Sequence, residues 1–235
     1  SAQHRRASCL TVNATKPKVT GRDPNVRPKT VVYDPALTLS LSPALSAASG
    51  MNAIAHCVEA LYAEDGNPIV SLMAEEGIRA LAASLPAITD DPSNIDARSE
   101  ALYGAWLAGY ALGSTTMGLH HKLCHVLGGT FELPHAETHA IVLPHVTRYN
   151  SKAAPQAMAR IARALQAEDA ASALYRMLGR LKIDPGLKYV GMPSSGLTQA
   201  AQDACMTPYP NPEVVESGRV RAMLERAYEG LEPGK

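Results

Sequence analysis

The sequence is short of aromatic residues, of net charge and of unbroken apolar runs, and each shortage removes a class of protein. One Trp and one Phe in 235 residues, with aromatics at 5%, supply too little ring surface for a β-sandwich or barrel built on an aromatic core. Basic and acidic residues balance at 22 each, which leaves no electrostatic footprint for nucleic acid or for an anionic membrane surface. The most apolar stretch, residues 37–63, is interrupted by Pro43, Gly50, Asn52 and His56 and is no membrane span. Cys9, Cys57, Cys124 and Cys205 form no C-x-x-C pair, which argues against a disulfide framework or structural zinc and for a reducing, cytoplasmic compartment. No secretory signal is expected, because no apolar segment opens the chain. No G-x-G-x-x-G, P-loop or strand–helix alternation is present, so the chain is expected to carry no nucleotide-binding α/β unit of its own.

Helix formers are plentiful. Hydrophobic residues make up 46%, and 38 residues are Ala. Residues 1–16 have neither helical nor strand period and read as a leader without structure. The following PKVTGRDPNVRPKTVVYDP reads as one hairpin or a pair of short strands, with Thr30–Tyr33 as a β-branched run. From Leu37 onward the reading is all-α: 1–36 is leader and hairpin, 37–235 a helical catalytic domain. Ser42-Pro43 and Asn67-Pro68 are cap-plus-proline starts. The first helix is expected to pause at Ser49-Gly50 and end near Ala63; the second carries Ile69, Leu72, Met73, Ile78 and Leu81 as an apolar face. Further helices are expected over 94–113, 115–127 (stopping at Gly128-Gly129), 136–149 (kinked or broken at Pro144), 153–167 and 169–181, from near 195, and over 212–228.

Histidine carries the chemistry. Six of the eight histidines lie between His120 and His145. His121 and His125 are spaced i,i+4 and share a helix face; His135 follows Pro134 at the start of the next helix; Asn52 and His56 form a second i,i+4 pair. Such a set can hold a transition metal, transfer protons near neutral pH, or bind an anion when protonated. Lys122 reads equally as a solvated flank or an anion contact. Cys124 reads as core packing.

Three segments, GMNAIAHCVEALYA (50–63), GLHHKLCHVLGGTFELPHAETHAIVLPH (118–145) and PYPNP (208–212), resemble the helical C-terminal domain of the iron-containing (group III) alcohol dehydrogenase family, over roughly residues 18–230. The resemblance implies a bundle of the dehydroquinate synthase-like fold. In that fold an N-terminal dinucleotide-binding domain and the helical domain enclose the active site between them. It further implies a cytoplasmic oxidoreductase, homodimeric or self-associating, using NADH or NADPH. Within the family it points to the branch that reduces the carbon–carbon double bond of a dicarboxylate, maleylacetate, to 3-oxoadipate in the breakdown of aromatic compounds. Metal-binding members carry D-x-x-x-H, H-x-x-x-H and P-H, which fall here on Asn52, His56, His121 and His135 as ligands for iron or zinc. Asn52 stands where that pattern has Asp, and a neutral amide is the poorer ligand for a dication. The same positions then suit the substrate, with His56, His120, Lys122 and His135 binding carboxylates and His121 and His125 transferring protons. Two alternatives stay open: a metal-dependent alcohol dehydrogenase of the same family, and a non-catalytic metal- or anion-binding helical module. With the nucleotide-binding half outside the sequence, the chain alone is expected to be inactive.

Overall fold

The structure, a computed structural model, describes residues 7–11, 18–22 and 30–234. Strands β1 (Ala7–Thr11) and β2 (Lys18–Arg22) pair antiparallel, with Ala7 opposite Arg22 and Thr11 opposite Lys18. This corrects the expected leader, because part of it is strand. It also corrects the expected strand at Thr30–Tyr33, which is irregular. A short β-branched run becomes a strand only with a partner, and β1 and β2 already pair with each other. Most of the expected GRDPN turn lies outside the described residues.

Nine α-helices follow among the described residues: α1 (Pro43–Leu61), α2 (Pro68–Asp90), α3 (Ile95–Ser114), α4 (Leu119–Thr130), α5 (His135–Asn150), α6 (Pro155–Ala164), α7 (Ala170–Arg180), α8 (Leu197–Cys205) and α9 (Ser217–Glu229). The starts follow cap chemistry. Ser42 Oγ accepts from the Leu45 N–H at 3.2 Å, and the Asn67, Asn94 and Asp169 side chains accept from Val70, Ala97 and Ser172 at 3.0, 2.9 and 2.8 Å. None of these helices is long and apolar enough to cross a membrane.

Two apolar cores share α5. Ala140 and Leu143 join the core of α1, α2, α3, α6 and α7, while Ile141, Val142 and Val146 join the core of α4, α8 and α9. Helix α5 is therefore buried on nearly every side, and it runs through Pro144 without a break. Helix α1 likewise runs through Gly50 without the expected pause. A Cβ there would collide with the Leu85 side chain of α2, so this glycine sets a close helix crossing rather than a break. Ile69 and Leu72 are exposed, contrary to the expected apolar face; the buried stripe of α2 is Val70, Ala74, Ile78, Leu81, Leu85 and Ile88.

Three expected ends move, and at the two starts tertiary hydrogen bonds outweigh local pattern. Helix α4 starts at Leu119, since Asp65 holds Thr116 extended through its N–H at 2.9 Å and its hydroxyl at 2.8 Å. It then runs through Gly128-Gly129 to Thr130, and Glu132, with φ 55°, makes the left-handed turn. Helix α9 starts at Ser217 rather than Pro212, because the Tyr149 hydroxyl donates to the Val214 carbonyl at 2.7 Å and accepts from the Glu216 N–H at 3.2 Å.

Arg98, 2% exposed, ties the approach to α1 onto α3 by donating to the carbonyls of Pro92, Thr38 and Leu41 at 2.7, 2.6 and 3.3 Å. The crossing of α2 and α3 depends on Gly104, where an added Cβ would lie 2.7 Å from Leu81 Cγ and 3.2 Å from the Leu81 backbone nitrogen. Gly104→Val is expected to destabilise the bundle by about 1–3 kcal/mol through overpacking, read as a lower denaturant midpoint at unchanged slope.

Candidate active site

Six imidazoles from three helices meet where α1, α4 and α5 converge. His56 comes from α1, His120, His121 and His125 from α4, and His135 and His139 from α5. His56 and His121 stack with ring centroids 4.9 Å apart and planes at 28°. His120 and His139 lie edge to face at 4.9 Å, His121 and His139 at 5.1 Å, His135 and His139 at 4.4 Å, and His125 sits outermost, 6.5 Å from His121. His56, His120, His121 and His139 are buried, whereas His125 and His135 reach the surface.

The backbone that presents these rings is held by Glu59, a fully buried carboxylate one helical turn beyond His56. Helix α4 begins at Gly118-Leu119 with no side-chain cap of its own. Glu59 supplies the missing acceptor for the Gly118 and His120 N–H groups at 3.1 and 2.9 Å. Its Oε2 also lies 2.6 Å from His121 Nδ1. A carboxylate thus occupies the positive end of α4, and that helix end is closed to a substrate anion. Asn211, from the PYPNP segment, braces the same turn by accepting from the Leu119 N–H at 3.3 Å while exchanging amide hydrogen bonds with Asn150.

Behind the rings the polar groups bond one another. His120 Nε2 and His139 Nδ1 are 2.9 Å apart, and Cys124 Sγ lies 3.8 Å from His120 Nε2. His120 Nδ1, His121 Nε2, His139 Nε2 and Asn52 Oδ1 are buried without a hydrogen-bond partner. Burial is the largest cause, and the neighbouring imidazoles the next, that hold His56, His120 and His139 well below the ordinary histidine range. His125 is pushed down to about 4 by the protein packed around its inner side and then by His121, His135 and Lys122. His145 stands apart and is also pushed down to about 4, by burial and then by Arg226.

A cleft of about 630 Å³ opens beside this cluster. Asn52, His56, His135 and Glu137 form its polar end, and Leu41, Leu45, Leu85 and Leu102 its apolar end. Lys122 does not line it; its ammonium donates to the Thr207 hydroxyl at 3.1 Å. The structure therefore brings Asn52, His56, His120, His121, His125 and His135 together and turns Lys122 toward the C-terminal segment. Sequence reading missed Glu59, His139 and the His120–Cys124 contact. One signal was available: Asn52, His56 and Glu59 fall at i, i+4 and i+7 on one face of α1.

The donor set does not fit a divalent metal at positions 52, 56, 121 and 135. It contains no carboxylate, and Asn52 offers only a neutral amide oxygen in its place. Among the described residues, the one trio of His, Cys, Asp or Glu side chains with donor atoms all within 4.8 Å of one another is His120, Cys124 and His139, and its nearest two nitrogens already share a hydrogen bond.

Comparison with known proteins places this arrangement. Residues 46–228 match the model of the Fe-containing alcohol dehydrogenase family, C-terminal part. A maleylacetate reductase of Sphingobium indicum is 56% identical over 216 residues, covering 92% of this chain and 61% of that protein. The crystal structure of maleylacetate reductase from Agrobacterium tumefaciens superposes with a TM-score of 0.93 at 45% identity, covering 97% of this chain and 64% of that one. That from Rhizobium sp. strain MTP-10005 superposes with a TM-score of 0.94 at 44% identity, covering 99% and 65%. The chain spans about three fifths of the length of the curated relatives it matches.

Depressed histidines set a pH dependence. The folded state keeps His125 and His145 neutral down to about 4, whereas the unfolded chain protonates histidine near 6.5. Their contribution is complete above about 6.5 and is lost as pH falls toward 4, because the unfolded state then binds more protons. Thermal midpoints are expected to fall already between pH 6.5 and 5, above the carboxylate range, and His145→Leu is expected to flatten that limb.

Proposed function

The chain belongs to the iron-containing alcohol dehydrogenase family, and on that premise we propose that its residues 37–235 are the helical, substrate-binding part of a maleylacetate reductase. The observation that carries this reading is the company the cleft keeps: the imidazoles of His56 and His135 with the Asn52 amide and the Glu137 carboxylate, beside apolar walls, and no carboxylate among the four positions a metal would need. The substrate class is an unsaturated oxo-dicarboxylate whose double bond is conjugated with its ketone.

The reaction adds two electrons and two hydrogens across the double bond. NADH or NADPH, when bound to the rest of the enzyme, would be the hydride source, and the alkene carbon β to the ketone is the position that takes the hydride. The electron pair of the double bond moves onto the ketone oxygen as an enolate, and the α carbon then takes a proton. This chain's residues bind and position the dianion and manage that proton. His56 and His135, at the cleft, are the carboxylate and enolate donors, while His120, expected from the sequence to bind substrate, lies fully buried behind them and is paired with His139. His121 and His125 are the proton carriers, with His125 at the rim where solvent resupplies it. Lys122 contributes at longer range, from its place beside Thr207. No step is routed through iron or zinc, since Asn52 puts a neutral amide where a carboxylate ligand would be needed.

Because burial and neighbouring imidazoles hold His56, His120 and His125 below the ordinary histidine range, an arriving dianion is expected to bring protons with it. Titration calorimetry of the purified chain with 3-oxoadipate, in two buffers of different ionisation enthalpy, is expected to show proton uptake on binding. His56→Ala is expected to weaken binding about tenfold, the size of one charge-assisted hydrogen bond. The chain alone is expected to leave NADH unoxidised with maleylacetate, and His125→Ala in the complete enzyme to lower kcat by about 10²-fold or more. One iron or zinc per chain by elemental analysis, with no proton uptake, would instead favour a metal-dependent alcohol dehydrogenase of the same family.

A further inference from the structure

We propose that Glu59 is the positioning residue of this site, fixing His121 in the tautomer protonated at Nδ1 so that Nε2 is its reacting nitrogen. A carboxylate can only accept, and Glu59 Oε2 stands 2.6 Å from His121 Nδ1, so the proton of that contact belongs to the imidazole. Glu59 cannot rotate away. Its two oxygens also accept from the Gly118 and His120 N–H groups, and the Tyr62 hydroxyl lies 3.4 Å from Oε1. The other side of the same ring is Nε2, buried and without a partner, against the stacked face of His56. An imidazole with a carboxylate behind it and a bare nitrogen ahead takes a proton at the free nitrogen, and the charge it gains is balanced by the carboxylate.

Two consequences separate His121 from its neighbours. Its ring plane and tautomer are set by α1, whereas His120 and His139 share a hydrogen bond between two imidazoles, either of which can donate. In addition, Glu59 links the ring to the start of α4 itself, so ring and helix turn move as one unit. The effect on turnover rests on the reductase reading above; the tautomer does not.

Long-range proton–nitrogen correlation spectra of the chain labelled in histidine ring nitrogens, at pH 7 and without substrate, test the tautomer directly. The unmodified chain is expected to show His121 with a protonated Nδ1 and a bare Nε2. In Glu59→Gln the amide oxygen is drawn to the backbone N–H groups, its NH₂ faces Nδ1, and His121 is expected to switch to the Nε2-protonated form. Glu59→Asp, which keeps a carboxylate, is expected to retain the Nδ1-protonated form. In the complete enzyme Glu59→Gln is expected to lower kcat ten- to a hundredfold with KM little changed, and Glu59→Asp to recover part of it. A bare Nδ1 on His121 in the unmodified chain overturns the proposal, whether or not either variant folds. So does an unaltered tautomer in a folded Glu59→Gln. Loss of turnover effects alone, with the tautomers as expected, would count against the reductase reading and not against the positioning role.

Discussion

A single buried carboxylate does two jobs at the centre of this bundle, and the rest of the site depends on it. Glu59 is fully enclosed, which for an unpaired charge would cost several kcal/mol. That cost is offset because the start of α4 arrives with N–H groups that have no acceptor within their own helix. Each element supplies what the other lacks: α1 contributes a charge that needs donors, and α4 an uncapped end that needs an acceptor. The pairing sets the rotation of α4 about its axis, and this decides that His121 meets His56 while His120 meets His139.

Electrostatics in the cluster follow from crowding. Burial, and after it repulsion from the neighbouring imidazoles, holds His56, His120 and His139 well below the ordinary histidine range. The resting site therefore offers neutral donors and bare nitrogens instead of a standing positive field. On the reductase reading proposed above, affinity for an anion would come from protons taken up as the anion binds. A metal at the same place would have fixed the charge permanently; with Asn52 neutral and its Oδ1 unpartnered, the site lacks the carboxylate that would balance such a charge.

Much of this was legible in the sequence, for identifiable reasons. Ser42-Pro43 and Asn67-Pro68 marked helix starts correctly because cap chemistry is local, and the H-x-x-x-H and P-H spacings foretold that His121, His125 and His135 would approach His56. Long-range bonds were not legible. The start of α4 slid from Thr115 to Leu119 because of Asp65, and that of α9 slid to Ser217 because of Tyr149, partners roughly fifty and seventy residues away. Gly50 and Gly128-Gly129 read as breaks, yet one is a packing contact with Leu85 and the others lie inside a helix. Glu59 was passed over because a lone Glu in an Ala-rich helix has the pattern of a solvent-facing residue. The one signal against that pattern is its place on the same face of α1 as Asn52 and His56. Lys122 was counted as equally an anion contact or a flank, and its bond to Thr207 turns it toward the C-terminal segment.

Amide hydrogen exchange at Gly118 and His120 tests the central constraint most directly. First-turn amides of a helix ordinarily exchange quickly, because no carbonyl of their own helix protects them. With Glu59 accepting from both, they are predicted to exchange as slowly as Leu123 and Leu127 in the body of α4. Exchange at the rate of a frayed helix end, with those interior amides still protected, would contradict the account.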